Sequence, residues 1–106
     1  MTITRFRCST CGRRAKRATG DLAIALRLVC AMNHDNDVDY GSRMTESQWA
    51  RLTAGVEQMR HAGCTLDDAA LDEIATGEAS EAQMRFGGFQ GWSDVTGVLD
   101  EVFNGE

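Results

Sequence analysis

Apolar residues recur at helical spacing through most of the second half of the chain. Trp49, Leu52, Val56 and Met59 fall three and four apart behind a T-x-x-Q capping box, Thr45 to Gln48. Gly63 closes that run, so a helix is predicted between the box and this glycine. Leu66, Ala70, Leu71 and Ile74 repeat the pattern behind Thr65, a residue type that caps helices, and Gly77 ends it. Ser80 can cap a short turn through Met84 and Arg85. After the glycine-rich FGGFQGW, Ser93 can cap a last helix with Val95, Val98, Leu99, Val102 and Phe103 on one side.

The first half is less regular. TITRFRC, residues 2–8, alternates as a short strand does, and the polar RRAKRATGD turns at Gly20. DLAIALRLVCAM fits two periods. Leu22, Ile24, Leu26 and Leu28 alternate, while Leu22, Leu26 and Val29, with Ala25, Leu28 and Met32, suit a helix. Asp21 as a cap and the helix-forming alanines, leucines and arginine favour the helix. Residues 33–44, NHDNDVDYGSRM, form a polar, acidic connection and the best boundary. The expected fold is mainly α, with a small α+β arrangement as the alternative. A zinc-knuckle or ribbon-like segment over 1–40 precedes three or four short helices over 41–106, all packed as one compact domain. Proline is absent, and glycine supplies the punctuation.

Composition bounds this picture. With 106 residues, 42% hydrophobic and 25% charged, the chain has the make-up of one folded domain rather than a disordered tract. No apolar run approaches the roughly 18 residues of a membrane span, and the first residues lack the apolar centre of a signal peptide. A soluble, cytoplasmic protein is expected. The net charge of −5 conceals a segregation. Residues 1–27 carry seven cations against Asp21, a balance of +6, and the remaining 79 carry four arginines against fifteen carboxylates, a balance of −11. The two ends should therefore favour different partners.

The sharpest chemical signal is FRCSTCGRRAKR. Cys8 and Cys11 form a C-x2-C pair, which in an intracellular protein points to metal or redox chemistry rather than a structural disulfide. Zinc takes four ligands in a tetrahedron, and a tight C-x2-C turn turns two thiolates to one ion. Cys30 and His34 lie four apart, one helical turn, and complete C-x2-C-x18-C-x3-H. Residues 6–34 thus resemble a zinc finger or zinc ribbon. The spacer is longer than in a ββα finger and cysteine replaces the first histidine, so that family's DNA-reading mode does not carry over. His61 and Cys64, an H-x2-C pair, form a rival second half, but Cys8, Cys11, Cys30 and His34 close the shorter loop. Buried free cysteines with incidental histidines are the plain alternative. Four protein ligands leave no open position, so zinc's role would be structural. A thioredoxin-like redox role lacks its βαβ context.

Arg13, Arg14, Lys16 and Arg17 can contact phosphates or simply form a solvated face; only Phe6 lies nearby as a stacking ring. Asp67, Asp68, Asp72, Glu73, Glu78 and Glu81 can form an acidic surface that keeps the protein soluble or approaches a basic groove on another protein. Phe86, Phe89 and Trp92, spaced by glycines, either anchor an interface or fold back to seal the core. No nucleophile elbow, phosphate loop, H-E-x-x-H or deaminase motif is present, so catalysis is not expected.

The resulting expectation is a non-enzymatic regulatory or inhibitory protein that binds a larger protein or nucleoprotein complex. Anti-CRISPR proteins offer an analogy of size and charge, with no matching motif. The alternative is a zinc-stabilised nucleic-acid-binding transcriptional regulator using the basic segment. The zinc assignment predicts about one zinc per purified chain, lost in Cys8→Ser and retained in Cys64→Ser by elemental analysis. A folded, metal-free wild type would overturn it.

Overall fold

In the computed structural model, residues 20–36, 40–76 and 79–104 are described. They form five α-helices: α1, Gly20–Asn36; α2, Glu46–His61; α3, Asp68–Thr76; α4, Ala79–Phe86; and α5, Trp92–Asn104. One turn of 3-10 helix, Gly41–Arg43, leads into α2. No strand occurs among the described residues; the strand expected over residues 2–8 lies outside them. None of the described helices is long and apolar enough to cross a membrane.

α1 is the central element and packs against both α2 and α3. Its residues 25–33 are buried without interruption. A helix covered on every side carries no single apolar face, which is why DLAIALRLVCAM fits the periods of both strand and helix. Asp21 lies within the first turn rather than capping it, and Gly20, at φ +61°, starts the helix. At its other end α1 runs four residues beyond Met32, into the expected polar connection. Asn33 explains the extension. Its buried side-chain oxygen accepts a hydrogen bond from the Tyr40 backbone N–H at 2.7 Å, tying the returning chain to the helix. α1 therefore belongs to the same core as the helices that follow.

α2 follows the sequence closely. Thr45 Oγ1 accepts from the Gln48 N–H at 3.1 Å, and Gln48 Oε1 accepts from the Thr45 N–H at 3.0 Å, completing the capping box. At the far end, Cys64 N–H donates to Met59 O and Gly63 N–H to Arg60 O, with Gly63 at φ +104°. This is a Schellman motif, with glycine in the left-handed position.

The remaining starts differ from expectation. α3 is capped by Asp67, whose Oδ1 accepts from the Ala70 N–H at 2.9 Å, rather than by Thr65. A carboxylate at that position satisfies an orphan amide and also suits the positive end of the helix, an advantage Thr65 lacks. The turn expected from Ser80 is a two-turn helix, α4. α5 begins at Trp92, one residue before the expected Ser93 cap, after Gly91 at φ +92°.

Gly91 marks where α2 and α5 meet. A methyl group on Gly55 would lie 2.9 Å from the Gly91 carbonyl oxygen and from Val95 Cγ2, and one on Gly91 would lie 2.1 Å from the Gly55 oxygen. The paired glycines let the backbones touch, with Val95 beside Gly55, and the buried residues of α2 and α5 join one core. Gly55→Ala should cost about 1–3 kcal/mol through overpacking. Gly91→Ala should cost more, because its backbone is also left-handed. Urea unfolding should show lower midpoints in that order; unchanged midpoints would contradict the close packing.

Candidate functional site

The charged groups of the helical body are arranged largely around its own arginines. Arg27, on α1, is 1% exposed and meets Asp68 at 3.3 Å and Asp72 at 2.9 Å, both from α3. A guanidinium taken out of water needs such partners, since desolvation costs several kcal/mol. Spacing of four residues puts the two carboxylates on one face of α3. Arg85 pairs with Glu73, Arg60 with Asp21 at 2.7 Å, and Arg51 grips Glu101 through two 2.9 Å bonds. Arg43 lies over the Tyr40 ring. Glu46, Glu81, Asp94 and Asp100 form no ion pair among the described residues. The outer surface of the body thus keeps unpaired carboxylates while four of its five arginines are ion-paired.

Four of the six acidic residues singled out in the sequence are placed by this arrangement; Glu78 lies outside the described residues, and Glu81 makes no ion pair among the described ones. Asp67 caps α3, Asp68 and Asp72 face Arg27 while staying partly open to water, and Glu73 holds Arg85. They serve the packing of α3 as well as the surface.

The aromatic residues of FGGFQGW fold back. Phe86 is buried, its ring centroid 6.1 Å from that of Trp92, and Phe89 and Trp92 are half-buried against the core. Trp92 also borders a groove of about 310 Å³ between α3, α4 and α5. Ile74 and Ala75 come from α3, Ala82 and Gln83 from α4, and Thr96, Leu99, Asp100 and Phe103 from α5. Phe103 is 37% exposed and tilts against Tyr40, with ring centroids 5.0 Å apart. Sequence reasoning put Phe103 on the core side of α5 and missed the groove. The available signal was the spacing of Trp92 and Phe103, eleven residues and about three turns apart, which places them on one side of a helix.

The predicted metal ligands divide between described and undescribed residues. Cys8 and Cys11, like Arg13, Arg14, Lys16 and Arg17, lie outside the described residues. Cys30 and His34 stand one turn apart on α1, as the metal reading requires; Cys30 is wholly buried and His34 exposed. An ion held by both would lie where the enclosed middle of α1 meets its open end. His61 is exposed, 3.7 Å from Glu57, whereas Cys64 is buried and its thiol pKa is raised by that burial. Among the described residues no group of three or more His, Cys, Asp or Glu gathers as a metal-ligand set.

Comparison with protein-family models, curated proteins and solved structures yields no match to this chain. The function must be read from these residues alone.

The bond from Arg60 holds the Asp21 carboxyl below its ordinary value of 3.8, despite the opposing effect of partial burial. A lowered folded pKa stabilises the protein above the unfolded value and is lost as pH falls through the folded one. Asp21→Asn should therefore lower the melting temperature at neutral pH, with the difference from wild type shrinking below pH 3.8. A difference independent of pH would exclude this pair as its source.

Proposed function

We propose that the chain is a small non-enzymatic regulatory or inhibitory binding protein that attaches to a larger protein or nucleoprotein complex through its acidic helical body. One observation carries this reading: four of the body's five arginines are ion-paired within it, while carboxylates remain unpaired on its surface, Asp100 among them in a groove with aromatic walls. Such a body repels phosphates and attracts basic protein surfaces, and complementary charge mainly speeds and orients encounter. Aromatic side chains around a groove supply the part of an interface that holds once water is excluded. A basic surface that normally holds nucleic acid is a natural target for it.

A second reading is favoured by the separation of charge along the chain. With Arg27 buried, the positive end comprises Arg5, Arg7, Arg13, Arg14, Lys16 and Arg17, with no acid among residues 1–19. On this reading the segment grips a nucleic-acid backbone, and a structural zinc on Cys8, Cys11, Cys30 and His34 stabilises it.

The two readings separate in a binding experiment. Wild type and a variant with Arg13, Arg14, Lys16 and Arg17 changed to Glu are compared by fluorescence anisotropy on labelled random-sequence single-stranded and duplex DNA and RNA. In parallel, both are compared with Asp100→Lys for binding to a purified partner protein identified by affinity isolation. The protein-binding reading expects no tight nucleic-acid complex at physiological salt, and partner binding that survives the basic reversal but weakens with Asp100→Lys. Tight, salt-dependent nucleic-acid binding abolished by the reversal would overturn it in favour of the second reading.

A further inference from the structure

We propose that the groove between α3, α4 and α5 receives one face of a partner helix, with apolar residues spaced three and four apart and a lysine or arginine that reaches Asp100. The proposal rests on the preceding reading of the helical body as the binding surface and names the kind of segment that surface takes.

α5 carries, beside the valine row that holds it in the core, a second row that is only partly covered. Val95, Val98 and Val102 are buried in the core. This second row, Trp92, Thr96, Leu99 and Phe103, follows intervals of four, three and four and lines the groove; Leu99 forms its buried floor, and the half-buried Trp92 and Thr96 and the exposed Phe103 are its open part. Its ends lie roughly 16 Å apart along the helix axis, the length of three turns. A partner helix laid along this row would offer anchors at the same spacing, the recognition mode of a helix in a groove. On the opposite wall Ala75 and Ala82 are small, so the space is not filled from within.

Charge selects the occupant. Asp100 is the one charged residue in the lining, and its carboxylate makes no ion pair among the described residues. Glu81 on α4 also makes no ion pair among the described residues, but it does not line the groove. Arg51 and Arg85 are held by Glu101 and Glu73, and Arg43, which makes no ion pair among the described residues, lies over the Tyr40 ring that packs on Phe103, outside the lining. The charge in the groove itself is therefore the Asp100 carboxylate, and its complement is a Lys or Arg beside the apolar anchors. A second copy laid groove to groove would bring like charges together, which disfavours that occupant.

The test uses the full chain and a displayed library of helical peptides of about 16 residues, long enough to cover three turns. Selected peptides should carry apolar residues at i, i+3 or i+4, and i+7, with a lysine or arginine alongside. By fluorescence anisotropy, Asp100→Lys should weaken the chosen peptide about tenfold, equivalent to about 1.4 kcal/mol, and a Lys→Glu peptide should recover affinity for that variant. Thr96→Phe, which fills the groove without altering charge, should also block binding. Unchanged circular dichroism melts would show both variants folded. Should one fail to fold, the other, with the charge-swapped peptide or the blocked groove, still decides.

Peptides without the basic residue, or with affinity indifferent to both substitutions, would overturn the proposal. If binding instead responds to Glu46→Lys and Asp94→Lys, the groove assignment fails and the wider protein-binding reading survives. Dimerisation of wild type in sedimentation that Thr96→Phe abolishes would make a second copy the occupant and likewise overturn it. Absence of any selected peptide, together with nucleic-acid binding through the basic segment, would overturn both.

Discussion

A guanidinium inside the molecule sets the terms for the rest of the structure. Arg27 sits on the central helix with almost no exposure, where an isolated charge would be strongly unfavourable. Asp68 and Asp72 offset that cost only when α3 presents their shared face to α1. Once that face is committed, Leu71 and Ile74 turn into the core, and Ile74 and Ala75 form one wall of the groove. One desolvated cation thus links helix orientation to the shape of the candidate binding surface. Asp67 reinforces the same placement by starting α3 at the residue before Asp68.

A pair of glycines plays the complementary part on the other side of the bundle. Because neither Gly55 nor Gly91 carries a side chain, the first turn of α5 meets the middle of α2 backbone to backbone. The valine row of α5 then seats against α2, and the row containing Trp92 and Phe103 is left facing α3 and α4. The groove is a consequence of how closely two helices approach.

The charge pattern acquires a different meaning in three dimensions. Along the chain, the acidic run from Asp67 to Glu81 reads as one surface. In the fold, Asp67 is a cap, Asp68 and Asp72 hold a buried arginine, and Glu73 bridges to α4. The carboxylates left without ion pairs among the described residues include only Glu81 and the cap Asp67 from that run, beside Glu46 on α2 and Asp94 and Asp100 on α5. Net charge survives folding unchanged; the groups that carry it to a partner do not follow from sequence order.

Local chemistry was legible where a single signal acts over a few residues. The Thr45–Gln48 capping box, the Gly63 stop and the Trp49, Leu52, Val56 and Met59 stripe all depend on neighbours one turn away, and each stands in the fold as its spacing implies. The cap of α3 was misread because two polar residue types, Thr65 and Asp67, compete within one turn, and helix charge decides between them. α1 was ambiguous because burial on every side erases the periodicity that distinguishes helix from strand. By itself, then, the sequence determined a mainly helical body, its strongest caps and stops, and the segregation of charge along the chain. Tertiary structure alone decided that Arg27 lies inside, that Gly55 meets Gly91, and that Trp92, Asp100 and Phe103 share a groove with Ile74 and Ala82. Those relations join residues tens of positions apart, and they arise from desolvation and close packing between helices, which no local spacing records.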